Sequence, residues 1–243
     1  YTPEQQAVIE ELTALSARLV VMSERAVGFL TAQGVPREKI AFIHHGIPDV
    51  RANREEQKAR LGLSGRSVVL TFGLLSPNKG IETAIRALPE VVAAHPEVTY
   101  LVLGTTHPHL LKREGEAYRE SLAALARELG VSDHLRFDAK FCSLSELTCY
   151  LAAADVYLTP YLNREQITSG TLAYALGSGR AVVSTPYWHA EELLAEDRGV
   201  LVPFRDPASL AAALSGLLGD PARRAELEKR ACDFSEQMRW PNV

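Results

Sequence analysis

Residues 151–186 have the sequence LAAADVYLTPYLNREQITSGTLAYALGSGRAVVSTP, and this stretch decides the fold class. It contains two short apolar segments, DVYLTP and AVVST, in which apolar and polar residues do not alternate. Strands of this kind are buried on both faces, which is typical of a parallel sheet. The segment between them, SGTLAYALGSG, has helical spacing and supplies the crossover that a parallel pair requires. We therefore predict an α/β fold built on a doubly wound parallel sheet.

The alternation of strand and helix extends in both directions from this stretch. Six segments have the strand pattern: SVVLTFG, VTYLVLG, HLRFDA, DVYLTP, AVVST and GVLVPF. We predict that they form one six-stranded domain over residues 51–230. Residues 1–50 contain only two such segments, too few to close a sheet, and are interpreted as the tail of a preceding domain with a link. Residues 231–243 are expected to form a C-terminal helix that returns toward that domain.

The composition is that of an ordinary globular protein. The 243 residues carry 26 Lys and Arg against 30 Asp and Glu, a net charge of −4, so we expect no nucleic-acid partner. No apolar run approaches the ~20 residues of a membrane-spanning helix, and we expect neither an integral membrane segment nor a signal peptide. Cys142, Cys149 and Cys232 form no disulfide framework and no common zinc pattern, so we expect a cytoplasmic protein without a metal site. A first residue other than Met, here Tyr1, indicates a fragment.

Ligands of doubly wound sheets bind beyond the carboxyl ends of the strands, so the strand exits are the places to search. At the first exit, FGLLSPNKG over residues 72–80, the strand ends at Gly73 and Lys79 stands just before the next helix. The free N–H groups of a helix start attract an anion, and an ammonium group adds a point charge. Lys79 is therefore a candidate phosphate ligand; the alternative is a solvated lysine in an ordinary turn.

A second exit, QITSGT over residues 166–171, is rich in small residues and hydroxyl groups. We expect Ser169, Gly170 and Thr171 in the first turn of a helix, where small residues let a ligand approach the backbone amides. Hydroxyl groups, including that of Thr168, add hydrogen bonds. The helix dipole contributes only about 0.3–1 kcal/mol, so the amides must provide most of the binding. The pattern predicts a diphosphate cradle; the alternative is a simple N-cap, for which Ser and Thr are well suited.

Three histidine-containing segments are weaker candidates. His107 and His109 lie two residues apart in GTTHPHL, but a metal hypothesis lacks further ligands. His44–His45 either line an interdomain cleft or simply end a strand. Trp188–His189 either contact the face of a sugar or pack beneath a loop.

Together these segments resemble the C-terminal, donor-binding half of a GT-B glycosyltransferase, and they are most similar to the family-4 retaining enzymes. The resemblance covers nearly the whole chain and rests on the order and spacing of residues 151–186 and of four further segments: GLLSPNKGIETAIRALP, VTYLVLG, GVLVPFRDPASLAAALSGLL and IHHGIPDV. It implies a Rossmann-like domain that binds a nucleoside-diphosphate sugar as donor substrate, with neither a metal ion nor another cofactor in the chemistry. It also implies an acceptor domain before residue 1, joined by a link over residues 43–50.

The resemblance also assigns roles to residues. In this family the lysine of the first turn contacts donor phosphate, the amides at the helix start hold the diphosphate, and the exit after the third strand borders the base. The matching positions here are Lys79, Ser169–Thr171 and Lys140–Ser143. The residues expected to bind the donor are Gly73, Lys79, Phe141, Cys142, Thr168, Ser169, Gly170, Thr171 and Tyr174.

Three positions depart from the family pattern. Leu74 replaces the usual arginine, and an ungapped alignment places Gln166 and Tyr174 where the family has two glutamates separated by seven residues. Gln166, with Glu165 beside it, can still hydrogen-bond a sugar hydroxyl, whereas Tyr174 cannot accept a charge-assisted bond. The catalytic candidates are therefore Lys79, Gln166 and Glu165. The departures imply either an altered donor preference or lost chemistry.

We predict a hexosyltransferase-like domain that transfers a sugar from its nucleotide donor, with retention, to an acceptor sugar or glycoside. The preceding domain is expected to hold that acceptor, so the fragment alone is expected to be inactive. One alternative is a non-catalytic GT-B-like partner subunit. Another is a GT-B sugar phosphorylase, in which inorganic phosphate replaces the nucleotide. A dinucleotide oxidoreductase is disfavoured because no G-x-G-x-x-G follows a strand.

Overall fold

The computed structural model describes residues 2–50 and 52–243, in which strands and helices alternate. The strands are β1 (Leu19–Val21), β2 (Ile40–Phe42), β3 (Ser67–Phe72), β4 (Val98–Leu103), β5 (Leu135–Asp138), β6 (Val156–Thr159), β7 (Ala181–Ser184) and β8 (Val200–Leu201). The α-helices are α1 (Pro3–Leu15), α2 (Glu24–Ala32), α3 (Arg54–Arg60), α4 (Ile81–Ala94), α5 (Pro108–Glu114), α6 (Ala117–Glu128), α7 (Leu144–Ala153), α8 (Gly170–Gly177), α9 (Trp188–Leu193), α10 (Pro207–Gly219) and α11 (Pro221–Ser235). None of the helices in the described ranges is both long enough and apolar enough to cross a membrane.

Strands β3 to β8 form one six-stranded sheet in the order β5-β4-β3-β6-β7-β8, and every neighbouring pair is parallel. Successive strands move outward from β3 on one side and outward from β6 on the other, so the strand order reverses between β3 and β6. Such a reversal opens a crevice at the carboxyl ends of the strands. The predicted doubly wound, six-stranded parallel sheet is confirmed.

Helices cover both faces of this sheet. Every residue of β4, β6 and β7 is buried. On one face α4, α6 and α10 contribute side chains such as Ile85 and Leu214 to the core, and on the other α7 and α8 contribute Leu151 and Leu172. Each of these buried side chains contributes about 1.5–3 kcal/mol relative to exposure. This double cover explains why the strand segments show no apolar and polar alternation.

Two helices begin at the capping residues seen in the sequence. Ser143 Oγ accepts a 3.2 Å hydrogen bond from the N–H of Glu146, whose carboxylate in turn accepts the N–H of Ser143 at 2.9 Å. Asp206 accepts the N–H of Ser209 at 3.0 Å, with Pro207 in the first position of α10. Such caps each stabilise a helix by ~1 kcal/mol. Ser and Asp are among the residue types that sequence rules favour at this position.

The segment before the link forms a smaller unit. It contains α1, α2 and a separate two-stranded parallel sheet of β1 and β2, with a small core of Val27, Val35 and Ile40. Helix α1 has no buried residue. Exposed large apolar side chains gather in this segment and at the first residue of the link: Val8, Leu12, Leu15, Val20, Met22 and Ile43. Its assignment to a preceding domain, like the other domain boundaries, stays a prediction.

The tail, residues 236–243, lies against the link. The N–H of Ile47 donates to the carbonyl of Met238 over 2.9 Å, and the N–H of Trp240 donates to the carbonyl of Ile47 over 3.2 Å. Helix α11 ends at Ser235, earlier than expected, because the chain leaves helical geometry to pair with the link. The remaining residues form two short 3-10 turns.

Candidate functional site

The Lys79 turn and the segment before α8 lie side by side at the carboxyl edge of the sheet. The N–H of Leu162 donates to the carbonyl of Asn78 over 2.9 Å. A Cβ built on Gly80 would overlap the carbonyl oxygen of Pro160, so the backbones of Gly80 and Pro160 are in direct contact. The structure thus brings the two predicted phosphate-binding segments together, and we call residues 76–80 and 160–171 the rim.

The side chain of Lys79 is half-buried and lies over an aromatic ring. Its Nζ is 3.8 Å from the centre of the Tyr161 ring. Burial lowers the pKa of Lys79 to about 8, because the charged ammonium loses hydration. The face of the ring attracts the ammonium and favours its charged form. Lys79 is therefore not a freely solvated lysine in an ordinary turn, and at neutral pH it holds a positive charge at the rim.

Helix α8 begins at the predicted cradle, and its first amides are of two kinds. Ser169 is the N-cap: its Oγ accepts the N–H of Leu172 at 3.3 Å, and its own N–H donates to Nδ1 of His189 at 2.8 Å. Within residues 2–50 and 52–243, no protein acceptor binds the N–H groups of Gly170 and Thr171. The structure therefore shows the N-cap at Ser169, and the diphosphate cradle stays a prediction. The N–H of Ser169 is bonded to His189, and the N–H groups of Gly170 and Thr171 are available to an anion.

His189 supports this turn from the protein interior. Its side chain is 1% exposed, and burial lowers its pKa to about 4. The nearby His45 and His44 act in the same direction, while a hydrogen bond to the backbone of Met22 opposes them. The ring is therefore neutral, with the lone pair of Nδ1 accepting the N–H of Ser169 and the proton on Nε2. Of the two hypotheses for this residue, the structure favours packing beneath a loop.

His45, from the link, packs directly against the start of α8. Its Nδ1–H donates to the carbonyl of Gly46 over 2.9 Å, and its Nε2 lies 2.8 Å from the position that a Cβ on Gly170 would take. The imidazole thus fills the space on the Cβ side of Gly170, whereas the N–H of Gly170 has no protein acceptor in the described residues. Tyr174, one turn later, lies with its ring centre 5.6 Å from that of His45 and 6.4 Å from that of Trp240. Its expected contact with the donor ribose stays a prediction.

The loop before α8 carries the other two catalytic candidates. Nε2 of Gln166 donates to the carbonyl of Thr168 over 3.2 Å, and the Gln166 carbonyl accepts the N–H of His189 at 3.1 Å. Glu165 is exposed, and its N–H donates to Oδ1 of Asn163 over 3.1 Å. The structure therefore orders Gln166 against the cradle and leaves the side chain of Glu165 in solvent.

A cleft of about 220 Å³ opens between the ends of β3, β4 and β5. Its lining includes Gly73, Leu74, Gly104, Phe141 and Cys142. Phe141 is 79% exposed, so its ring is free to stack against a planar group. Burial raises the pKa of the Cys142 thiol, which keeps it protonated. The lining contains Lys140, Phe141 and Cys142, three of the four residues predicted to border the base, and Leu74 brings no charge to it.

A wider cleft of about 690 Å³ lies between α2 and α9. Trp188 forms one wall of this cleft. The centre of its ring lies 5.0 Å from the centre of the Phe29 ring and 5.1 Å from the guanidinium carbon of Arg25. Arg25 also pairs with Glu191 at 3.3 Å. The predicted sugar contact of Trp188 stays a prediction.

Helix α5 was not predicted, and its start explains why His107 and His109 lie close together. His107 is its N-cap: Nδ1 accepts the N–H of His109 at 3.3 Å, and the two rings stack with centres 5.4 Å apart. Pro108 in the first helical position was the available sequence signal. Across the described ranges, no three His, Cys, Asp or Glu side chains are grouped so that they would hold a metal ion.

Residues 66–220 match the sequence model of the family described as Glycosyl transferases group 1. This chain belongs to that family. Phosphatidyl-myo-inositol mannosyltransferase of Mycolicibacterium smegmatis is 32% identical over 180 residues, which cover 74% of this chain and 43% of that protein. D-inositol 3-phosphate glycosyltransferase of Thermomonospora curvata is 28% identical over 252 residues, 95% of this chain and 56% of that protein. The chain thus spans about half the length of the curated relatives it matches.

Solved structures show the same architecture. Anabaena HepE in complex with UDP has a TM-score of 0.83 over 98% of this chain and 64% of that one, at 19% identity. WaaG, a glycosyltransferase involved in lipopolysaccharide biosynthesis, has a TM-score of 0.73 over 90% of this chain and 58% of that one, at 20% identity. Similarity at this level of identity shows the fold. The predicted GT-B C-terminal half and the predicted membership among glycosyltransferases are confirmed.

Proposed function

We propose that this chain is the donor-binding half of a glycosyltransferase that moves a sugar from a nucleoside diphosphate to an acceptor with retention. One observation carries the proposal: the ammonium of Lys79 and the available amides of Gly170 and Thr171 lie on adjacent segments of the rim. In glycosyl transfer the diphosphate departs with negative charge. Donors fixed where that charge develops stabilise the transition state most effectively, and helix-start amides beside an ammonium are suited to this task.

The remaining candidate residues suit the other two parts of the donor, the base and the sugar. The cleft beside Gly73, with the exposed ring of Phe141, suits a planar base. Gln166, ordered beside the cradle, suits a sugar hydroxyl. The base and the sugar would then extend in opposite directions from the diphosphate at the rim.

Names of related proteins support this donor class. A relative from Mycolicibacterium smegmatis, 31% identical over 186 residues, is named a GDP-mannose-dependent mannosyltransferase, and HepE has been solved with UDP-glucose. We infer a nucleoside-diphosphate sugar as the donor substrate. The proposed chemistry uses no metal ion or other cofactor, because Lys79 and the amides meet the charge of the leaving group.

The acceptor and the location are inferred in the same way. Relatives are named for inositol phosphate and phosphatidylinositol mannoside substrates, which present hydroxyl groups. We propose a sugar or glycoside acceptor, held by the preceding domain near the cleft beside Trp188. We also propose a cytoplasmic location, in keeping with three unpaired cysteine thiols in the described residues.

With Leu74, the cleft beside the rim lacks one positive charge that the family resemblance implies. We propose that this reflects an altered donor preference rather than lost chemistry, because Lys79 and the cradle amides remain. With less positive charge near the rim, backbone hydrogen bonds must contribute a larger share of the free energy of donor binding.

Calorimetric titration of the chain with UDP, GDP, ADP and inorganic phosphate at pH 7 tests the proposal. We expect one nucleoside diphosphate to bind, and Lys79→Ala to weaken it about tenfold, as loss of one hydrogen bond to a charged group does. Lys112→Ala, an exposed lysine of α5, is the matched control and should bind as the wild type does. A folded chain that binds none of the nucleotides would refute the proposal, and binding of phosphate without nucleotide preference would indicate a phosphorylase instead.

A further inference from the structure

Tyr161, the second residue after β6, is a rim residue that contacts both Lys79 and Thr171. Its side chain is buried, 0% exposed. The face of its ring lies against the Lys79 ammonium, and its hydroxyl reaches Thr171 at the start of α8. We propose that Tyr161 is a positioning residue that sets the ammonium of Lys79 and the backbone of Thr171 into one phosphate site. The inference rests on the proposed function, which assigns that site to the donor diphosphate.

The ring contact fixes the ammonium. Nζ of Lys79 lies 3.8 Å from the centre of the ring, well inside the about 6 Å range of a cation–π interaction. The ring is itself held by Tyr187, with centres 5.3 Å apart and planes 16° from parallel. On either side of Tyr161, the backbone of Pro160 and that of Leu162 contact the Lys79 turn. Three consecutive residues therefore hold both the turn and the side chain that it carries.

The hydroxyl contact fixes the start of α8. Oη of Tyr161 lies 2.8 Å from Oγ1 of Thr171, which lies 3.2 Å from Oγ of Ser169. Burial raises the pKa of Tyr161 to about 12, so the phenol stays neutral and keeps its proton for this bond. The hydroxyl of Thr171 is thus engaged within the protein, and its amide is the group left for the ligand. The sequence interpretation had assigned the hydroxyl to the diphosphate.

Two substitutions separate the two contacts. Tyr161→Phe keeps the ring face and loses the hydroxyl, whereas Tyr161→Leu loses both. The difference between these variants therefore isolates the contact with Lys79. A nucleoside, which lacks phosphate, is the matched ligand control, since a merely structural role for Tyr161 would weaken nucleoside and nucleoside diphosphate alike.

The test measures binding of UDP, GDP and ADP and of the corresponding nucleosides by calorimetry at pH 7. We expect the preferred nucleoside diphosphate to bind about tenfold more weakly to Y161L than to Y161F, the loss of one cation–π contact. The nucleoside should bind both variants equally. On a Lys79→Ala background the tenfold difference should disappear, because the ring then has no ammonium to hold. A difference that persists without Lys79, or an equal loss of nucleoside binding, would overturn the inference.

The hydroxyl contact is tested with Y161F and Thr171→Val, alone and combined. We expect the double variant to bind the nucleoside diphosphate no more weakly than the weaker single variant, because both changes remove the same bond. Additive losses would overturn the inference, and this pair decides the matter if a thermal melt shows that Y161L does not fold. A folded wild-type chain that binds no nucleotide would instead overturn the proposed function, and the role of Tyr161 with it.

Discussion

The N–H of Ser169 and Nδ1 of His189 form a 2.8 Å hydrogen bond that joins the first turn of α8 to α9. The two residues are 3% and 1% exposed, so water does not offer this amide another acceptor. The bond requires a neutral imidazole, and burial provides one by lowering the pKa of His189 to about 4. The geometry of the cradle therefore depends on the protonation state of a residue buried beneath it.

Removing that acceptor should destabilise the fold. We expect His189→Leu to lower the free energy of unfolding by about 1–3 kcal/mol, because the buried N–H of Ser169 is left without a partner. His189→Asn is the control, since its Oδ1 takes nearly the position of Nδ1 and accepts the same bond, and it should cost less. Urea denaturation at pH 7 measures both variants. Equal losses would show that the hydrogen bond is not the cause.

Acid should weaken the wild type through the same residue. The pKa of His189 is about 4 in the folded protein against an ordinary value of 6.5, so the unfolded chain takes up a proton first as the pH falls. Unfolding free energy should therefore drop between pH 6.5 and pH 4, by up to about 3 kcal/mol, with no contribution from this group above that window. Urea titrations across this range should give H189L a shallower pH dependence than the wild type; identical slopes would contradict the prediction.

Alkaline pH should weaken nucleotide binding through Lys79. Because burial lowers the pKa of Lys79 to about 8, its ammonium loses the proton as the pH rises through that value, and an anion then loses its point charge. We expect affinity for the preferred nucleoside diphosphate to fall about tenfold between ~pH 7 and ~pH 9, measured by calorimetry. Lys79→Ala should show no such fall. The same pH dependence in that variant would assign the effect to another group.

Two glycines with nearly the same backbone should respond differently to alanine. Gly80 has φ of 64° and Gly62 has φ of 68°, so alanine at either position would carry the left-handed strain of about 1–2 kcal/mol. Around Gly62 a Cβ meets no atom within 4 Å, whereas at Gly80 it overlaps the backbone oxygen of Pro160, which cannot move aside. We expect Gly80→Ala to lower the free energy of unfolding by at least about 3 kcal/mol, well beyond Gly62→Ala. Urea denaturation of the two variants tests this, and similar losses would count against the close packing of the rim.

The contact between His45 and Gly170 predicts a rescue. Gly170→Ala should cost about 1–3 kcal/mol of unfolding free energy, because its Cβ would lie 2.8 Å from Nε2 of the imidazole. His45→Ala removes the obstruction, so the double variant should regain most of the loss. A double-mutant cycle by urea denaturation measures the coupling, and purely additive effects would exclude the contact as the cause.

The sequence predicts the sheet and several helix starts because those features depend on near neighbours. Apolar runs such as that of β6 indicate burial on both faces, and caps such as Ser143 and Asp206 act within one turn. Helix α5 escaped notice because it is short and has no buried residue, so it lacks an apolar stripe. The parallel topology brings the carboxyl ends of the strands to one edge of the sheet, and this topology was also predictable from the sequence.

The contacts inside the site could not be predicted in this way. Lys79 and Tyr161 are far apart in sequence, as are Ser169 and His189, and periodicity carries no information on which side chains meet after folding. The role of Gly170 shows the limit most plainly. A glycine at a helix start suggests room for a ligand on every side, yet the space on its Cβ side is filled by His45, a residue from the link.

The pairing of the tail with the link has a mechanical consequence. Ile47 is bonded to Met238 and to Trp240, and Arg239 holds Asp49 at 2.7 Å. Residues 238–240 thereby act as a clasp that fastens the link to the same body as α8. A movement of the residues before the link would therefore have to pivot ahead of Ile47, where this clasp no longer restrains the backbone.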